Sequence, residues 1–313
     1  MNPPVYLALS GGVGGAKLVL GLARVLPPEA LVVAVNVGDD FDHLGLTICP
    51  DLDTVLYTLS GRAHPEQGWG RADESWGVRD ELRNLGVDTW FALGDRDIAL
   101  HLLRRELLQR GASLSEVSAA LSRRLGIAVT VLPVSDDPLR TLLDTDRGRL
   151  EFQEYLVRLR SEPVVRSIEF AGAAKAALAP GVRAALESRD LAGVIVCPSN
   201  PYLSIDPMLA VPGLRERLRS VDAPVLAVSP IVAGQALKGP AAKIMRELGV
   251  QPTATAIADL YADFVDIVVV DCADAERVRG KAGFAVAPTV MKTLDDKAAL
   301  ARTCIGLIEK VRS

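Results

Sequence analysis

The chain is poor in aromatic residues, at 4% of 313, which argues against a stacking platform for single-stranded nucleic acid. It also lacks any block of Lys or Arg. With a formal charge of -4, it offers no electrostatic footprint for a nucleic-acid partner. An acidic total does not exclude an anionic small substrate, because a pocket needs only a few well-placed donors. Cys49, Cys197, Cys272 and Cys304 are scattered, with no C-x-x-C pair or metal-ligand spacing. Four such thiols suit a reducing cytoplasm. The three histidines, His43, His64 and His101, lack H-E-x-x-H spacing, so neither zinc chemistry nor a Ser-His-Asp triad has support. Met1-Asn2-Pro3-Pro4 has no charged n-region, and the apolar stretch after it is only strand length, so no signal peptide or membrane span is expected. No repeat, linker or low-complexity segment is visible.

What the chain does have is an ordinary globular balance, 49% hydrophobic and 24% charged, enough for a sizeable core. Short apolar runs alternate with helical patterns from end to end. Val5–Leu9, Leu31–Val37, Thr89–Leu93, Ala128–Leu132, Gly193–Cys197, Val225–Ser229 and Asp266–Asp271 read as strands. Continuous β-branched runs are what strands covered on both faces look like. The expected fold is α/β: a Rossmann-like, three-layer, mostly parallel sheet in a single domain over residues 1–313. A helical insert is expected at about 62–126, over the sheet's carboxyl edge. Ser113 and Glu116 have capping-box spacing, Asp95 is suited to cap the helix after it, and Asp146-Arg147-Gly148 reads as the turn of a small hairpin outside the main sheet.

Five motifs have chemistry to offer. Ser10-Gly11-Gly12-Val13-Gly14-Gly15-Ala16-Lys17 lies between a strand and a helix, where glycines and unpaired helix amides suit a phosphate or diphosphate. It is not a P-loop, since Leu18 follows the lysine. Asp39, Asp40, Asp42, Asp51 and Asp53 crowd fifteen residues; hard oxygen ligands in that number suit Mg²⁺, and a carboxylate there is also placed to take a hydroxyl proton. One or two of the five read equally well as solvated turn or cap residues, Asp42 among them. Gly94-Asp95-Arg96-Asp97 offers a guanidinium for a phosphate, or simply a helix cap. Cys197-Pro198-Ser199-Asn200-Pro201 is a stiff polar loop suited to a nucleobase or ribose. Ser229–Gln235 with Lys238 and Lys243 offers further diphosphate donors. All five are expected to follow strands, so in a parallel sheet they gather on one edge, where such folds bind ligands.

Taken together, SGGVGGAK, NVGDD with GLTICPDLDTVLY, LGDRD, CPSNPYLSI and SPIVAGQALKGPAAK resemble the 2-phospho-L-lactate (or phosphoenolpyruvate) transferase family of coenzyme F-420 biosynthesis. The resemblance runs in order from residue 10 to 243. It implies a Mg²⁺-dependent, cytoplasmic enzyme, usually a homodimer. Such an enzyme transfers a phospho-acyl group from a guanosine diphosphate adduct to the ribityl hydroxyl of the deazaflavin Fo and releases GMP. Carried onto this sequence, Gly11, Gly12, Val13, Gly14, Gly15 and Lys17 approach the diphosphate. Asp39, Asp51 and Asp53 supply metal ligands, with Asp39, Asp53 and Arg96 catalytic and Asp53 the contact to Fo. Gly94 and Asp95 join the substrate site. Ser199, Asn200 and Pro201 read guanosine, assisted by Ile231, Val232 and Gly234. Trp69, Trp76 and Trp90 are available to the flat deazaflavin or to core packing. Two rival classes remain: a nucleotide-sugar-binding regulator on the same core, and a nicotinamide-dependent oxidoreductase. The transferred acid stays open between lactate, enolpyruvate and glycerate.

Overall fold

The structure, a computed structural model, describes residues 4–312; Met1 to Pro3 of the amino-terminal reading lie outside that range. Seven strands form the main sheet: β1 (Val5–Ser10), β2 (Leu31–Val35), β3 (Thr130–Pro133), β4 (Leu191–Val196), β5 (Val225–Val228), β6 (Ile267–Asp271) and β7 (Phe284–Ala287). Their order is β7-β6-β5-β4-β1-β2-β3, and every neighbouring pair is parallel. Alternate residues explain the unbroken apolar runs. Leu7, Leu9, Val194 and Val196 enter one core, whereas Tyr6, Ala8 and Ile195 enter the other. Both faces are covered, so neither can be polar.

On one face lie α1 (Gly12–Val25), α2 (Pro50–Leu59), α5 (Leu114–Leu125) and the carboxyl-terminal α6 (Leu294–Arg312), through residues such as Leu18, Leu56, Leu121 and Cys304. The opposite face packs short helices and a three-stranded sheet, through Val182, Met208, Ile244 and Leu143. That small sheet contains the expected hairpin, Arg140–Thr145 with Gly148–Glu151, plus an unexpected third strand, Val165–Ala171. Helices α3 (Gly77–Asn84) and α4 (Asp95–Gln109) stand with the loops before them in the region read as an insert. The Ser113–Glu116 capping box forms as its spacing requires.

Two expectations need correction. Thr89–Leu93 is not a strand; Trp90, Phe91 and Leu93 instead pack around Phe41 in a small aromatic cluster. The run is apolar because it is buried there, without a sheet neighbour. Asp95 does not cap its own helix. Its carboxylate accepts the amides of Gly77 (3.0 Å) and Val78 (2.9 Å), so it caps α3, and Glu74 takes the amides of Arg96 and Asp97 at the start of α4. The hairpin Phe41–His43/Leu46–Ile48 was not foreseen either; Leu44 (φ 51°) and Gly45 (φ 72°) make its left-handed turn. No described helix is long and apolar enough to cross a membrane.

Candidate active site

The sheet reverses direction of growth between β1 and β4, and the loops leaving those two strands face one another at its carboxyl edge. Ligands bind open α/β sheets at such a switch point. The glycines of the first loop are used mainly to let protein approach protein. A Cβ on Gly14 would overlap the carbonyl oxygen of Pro198, one on Gly15 would stand 2.7 Å from Ser199 Oγ, and one on Gly11 would stand 2.6 Å from Asp51 Oδ2. Thus the loops after β1 and β4 and the start of α2 are wedged together. Gly14→Ala is expected to cost about 1–3 kcal/mol by overpacking against a backbone atom that has no rotamer to change. A melting temperature equal to that of the parent would contradict this.

Asn36, at the end of β2 and fully buried, ties the site together. Its Nδ2 donates to Asp39 Oδ1 (3.3 Å), Asp51 Oδ2 (3.0 Å) and Leu203 O (3.4 Å), while its Oδ1 accepts from Gly38 N (2.8 Å). Asp39 Oδ2 accepts the Asp51 amide (3.0 Å), and Asp51 Oδ1 accepts Gly12 N–H at the start of α1 (2.6 Å). Two carboxylates are therefore held side by side against a helix amino terminus. Burial, then Asp51 and Asp40, raise Asp39 well above the usual carboxylate range. Burial raises Asp51 to about 6, against the pull of its hydrogen-bond donors, and raises Asp40 to about 8. No ion pair reaches Asp39 or Asp51 among the described residues. A buried acid pair without a cation fits a divalent ion: Mg²⁺ takes one or two carboxylates and completes its shell with water and phosphate oxygens.

Asp53 sits differently from the sequence reading. Its two oxygens receive Nη1 (3.1 Å) and Nη2 of Arg104, a fully buried arginine on α4 that also donates to Thr47 O (3.1 Å) and touches His101 Nδ1 (2.9 Å). A guanidinium already neutralises this carboxylate, which sets it apart from Asp39 and Asp51; among the described residues neither of those has an ion-pair partner, and no set of three His, Cys, Asp or Glu side chains is arranged for a metal. Each oxygen keeps a lone pair to accept a hydroxyl. Asp42 is exposed; it accepts from Thr47 Oγ1 (3.1 Å) and pairs loosely with Arg140 Nη2 (3.9 Å). His43 is buried among Phe41, Trp90 and Phe91.

The loop motifs do not all converge. Gly94-Asp95-Arg96 follows no strand, and its hydrogen bonds stay among residues 71–98. Arg96 is exposed on the first turn of α4 with no side-chain partner among the described residues. Ser199 Oγ accepts Gly11 N–H (3.0 Å), and Asn200 Oδ1 accepts the amides of Tyr202 and Leu203, leaving its Nδ2 uncommitted. Pro201 is buried in the turn that follows. Ile231–Val232 pairs with Gln235–Ala236, with Gly234 in the tight turn, and Ala233 N–H is held by buried Asp274 (2.8 Å). Lys243 is spent on Pro163 O, Glu247 and Tyr155, away from the glycine loop. Trp90 packs in the aromatic cluster, Trp76 lies under the Arg79 guanidinium at 4.2 Å, and Trp69 is 55% exposed. Sequence reasoning gave no role to Asn36 or Arg104. Arg104 did leave a signal, an arginine spaced with Leu100, Leu107 and Leu108 on the apolar stripe of α4.

The model of the family described as 2-phospho-L-lactate transferase CofD matches residues 7–301. A phosphoenolpyruvate transferase of Kitasatospora aureofaciens is 44% identical over 98% of each chain. A 2-phospho-L-lactate transferase of Methanosarcina mazei is 38% identical over 85% of this chain and 86% of its own. A crystal structure of a UPF0052 family member from Bacillus halodurans superposes with a TM-score of 0.64 at 16% identity, covering 97% of this chain and 99% of that one; this likeness concerns the fold alone.

Proposed function

The chain belongs to the CofD family of 2-phospho-L-lactate transferases, and from that premise we propose that it moves a phospho-acyl group from a guanosine diphosphate adduct to the ribityl hydroxyl of Fo, releasing GMP. Phosphoenolpyruvate is the favoured group, because the relatives matched over 98% of this chain at 41–44% identity include several named phosphoenolpyruvate transferases. The observation that carries the reading is the Asp39–Asp51 pair, fixed by Asn36 beside the glycine loop. Asp39 and Asp51 would hold Mg²⁺, which supplies charge neutralisation on the diphosphate.

The protein's own part is positioning. The hydroxyl oxygen attacks the phosphorus of the phospho-acyl group, the bond from that phosphorus to the bridging oxygen breaks, and GMP departs with the electron pair, its phosphate taking up the proton that the hydroxyl loses. Asp53, oriented by Arg104, accepts the hydroxyl's hydrogen bond and aims its oxygen. The first-turn amides of Val13 and Gly14 have no intrahelical acceptor and face the leaving phosphate. Arg96, whose loop does not converge on the glycine loop, is given no part in the transfer. Asn200 Nδ2 and the 231–234 backbone are the groups available to guanine.

Guanine selectivity tests this reading. Calorimetric titration with GDP, ADP, UDP and NAD⁺ is expected to show GDP binding tightest. ADP or NAD⁺ binding as tightly as GDP would contradict it and favour a dehydrogenase.

A further inference from the structure

Helices α2 and α4 meet through a ladder of polar side chains. From α4 come Asp97, His101 and Arg104, spaced i, i+4 and i+7 along one stripe. From α2 come Asp53 and Tyr57. His101 is 1% exposed and Arg104 is wholly buried, so their polar atoms have no water to turn to. A buried histidine is most often only a packed ring, but the count of hydrogens here assigns this one a task.

Arg104 Nη1 carries two hydrogens and meets three acceptors: His101 Nδ1 (2.9 Å), Thr47 O (3.1 Å) and Asp53 Oδ2 (3.1 Å). Arginine only donates, so His101 Nδ1 is the bare, accepting nitrogen and the ring hydrogen sits on Nε2. That Nε2 lies 3.3 Å from Asp97 Oδ1, facing it although off-line for a full hydrogen bond. Asp97 Oδ1 also accepts the Tyr57 hydroxyl (2.5 Å). Burial works against the Asp97 charge, yet its His101 and Tyr57 partners outweigh it and hold the carboxyl below its ordinary value. The tautomer is thus set from both sides of the ring.

Arg104 Nε has no acceptor among the described residues, so the two Nη atoms alone set the tilt of the guanidinium. Asp53 Oδ2 stands 3.8 Å from His101 Nδ1, and the two compete for the same Nη1 hydrogens. Sharing two hydrogens three ways leaves Asp53 Oδ2 with less than a full hydrogen bond from Nη1.

We propose that His101 is a positioning residue: held as the Nε2–H tautomer by Asp97, it draws Arg104 Nη1 away from Asp53 and keeps Asp53 a strong acceptor for the substrate hydroxyl. The proposal rests on the part given to Asp53 above. Without the ring, both Nη1 hydrogens pass to Thr47 O and Asp53. No guanidinium hydrogen bonded to the ring is then stranded, but Asp53 is more fully occupied and accepts the hydroxyl less well.

Two measurements on the full chain test it. The first, nitrogen-15 NMR of the histidine rings at neutral pH, needs only the parent fold, with His101 identified by its absence from His101→Gln. A neutral ring with its hydrogen on Nε2 is expected; a hydrogen on Nδ1, or on both nitrogens, overturns the proposal. The second compares binding of Fo, by its fluorescence, with binding of GDP, by calorimetry. His101→Phe is expected to weaken Fo by about ten-fold, the scale of one hydrogen bond, and to leave GDP unchanged. His101→Gln, whose amide can accept from Arg104 and donate to Asp97, should restore most of the Fo affinity. Equal Fo affinity in all three proteins, parallel loss of GDP and Fo, or no recovery with Gln overturns the proposal alone. A parent that binds no Fo overturns it together with the transferase reading.

Discussion

Asp39→Asn is expected to lower turnover by about 10²-fold or more, the scale of a lost charge stabiliser at a reacting phosphate. The substitution is nearly isosteric, and Asn keeps one oxygen to accept either the Asn36 amide or the Asp51 N–H. Fold is therefore preserved while the charge that would bind Mg²⁺ is halved. Apparent Mg²⁺ affinity should fall, excess metal should restore part of the rate, and the rise in melting temperature that Mg²⁺ gives the parent should shrink. Asp51→Asn should behave alike, since Asp51 shares the same donor, Asn36. Asp53→Asn should instead raise the Michaelis constant for Fo without rescue by metal. Exposed Asp42 supplies the control. Near-full turnover in both Asp39→Asn and Asp51→Asn, or equal damage from Asp42→Asn, contradicts the assignment.

Arg104→Met is expected to destabilise the protein by about 3–5 kcal/mol, the cost of leaving a buried charge without its partner. Burial works against the Arg104 charge, yet Asp53 outweighs it and the group is raised. Removing the guanidinium strands Asp53 and also withdraws the donor to Thr47 O in the 41–48 hairpin. The α2 turn bearing Asp51 is anchored from the insert through this contact, so activity should fall further than stability alone explains. Urea unfolding measures the first effect. Pairing Arg104→Met with Asp53→Leu should return much of the lost stability, because an apolar pair replaces an uncompensated charge. Stability loss under 1 kcal/mol for the single variant would show that the pair is not a buried tether.

The sheet was legible in the sequence because its strands are covered on both faces, and Leu31–Val35, Leu191–Val196 and Ile267–Asp271 are unbroken apolar runs for that reason. The same rule failed at Thr89–Leu93, where burial comes from aromatic packing and no strand lies alongside. Phe284–Ala287 went unread because an edge strand is covered on fewer sides and its run is short. At the site, the glycine loop, Asp39 and Asp51 were visible as motifs. Their joining depends on Asn36, whose partners lie as many as 167 residues away, and no local pattern records such a contact. Asp53 looked equivalent to Asp51 because two residues of sequence separate them. On a helix they point about 200° apart, one toward Asn36 and the other toward Arg104.

The most direct measurement of the central claim is a single incubation of the purified chain with Fo, Mg²⁺ and the guanosine diphosphate adduct of enolpyruvate, read by mass spectrometry. Formation of the phosphoenolpyruvyl ester of Fo with one GMP per ester, abolished by a chelator, is the predicted result. GMP appearing without the Fo ester, or an adduct left intact with Fo, Mg²⁺ and folded protein all present, would contradict the transferase account.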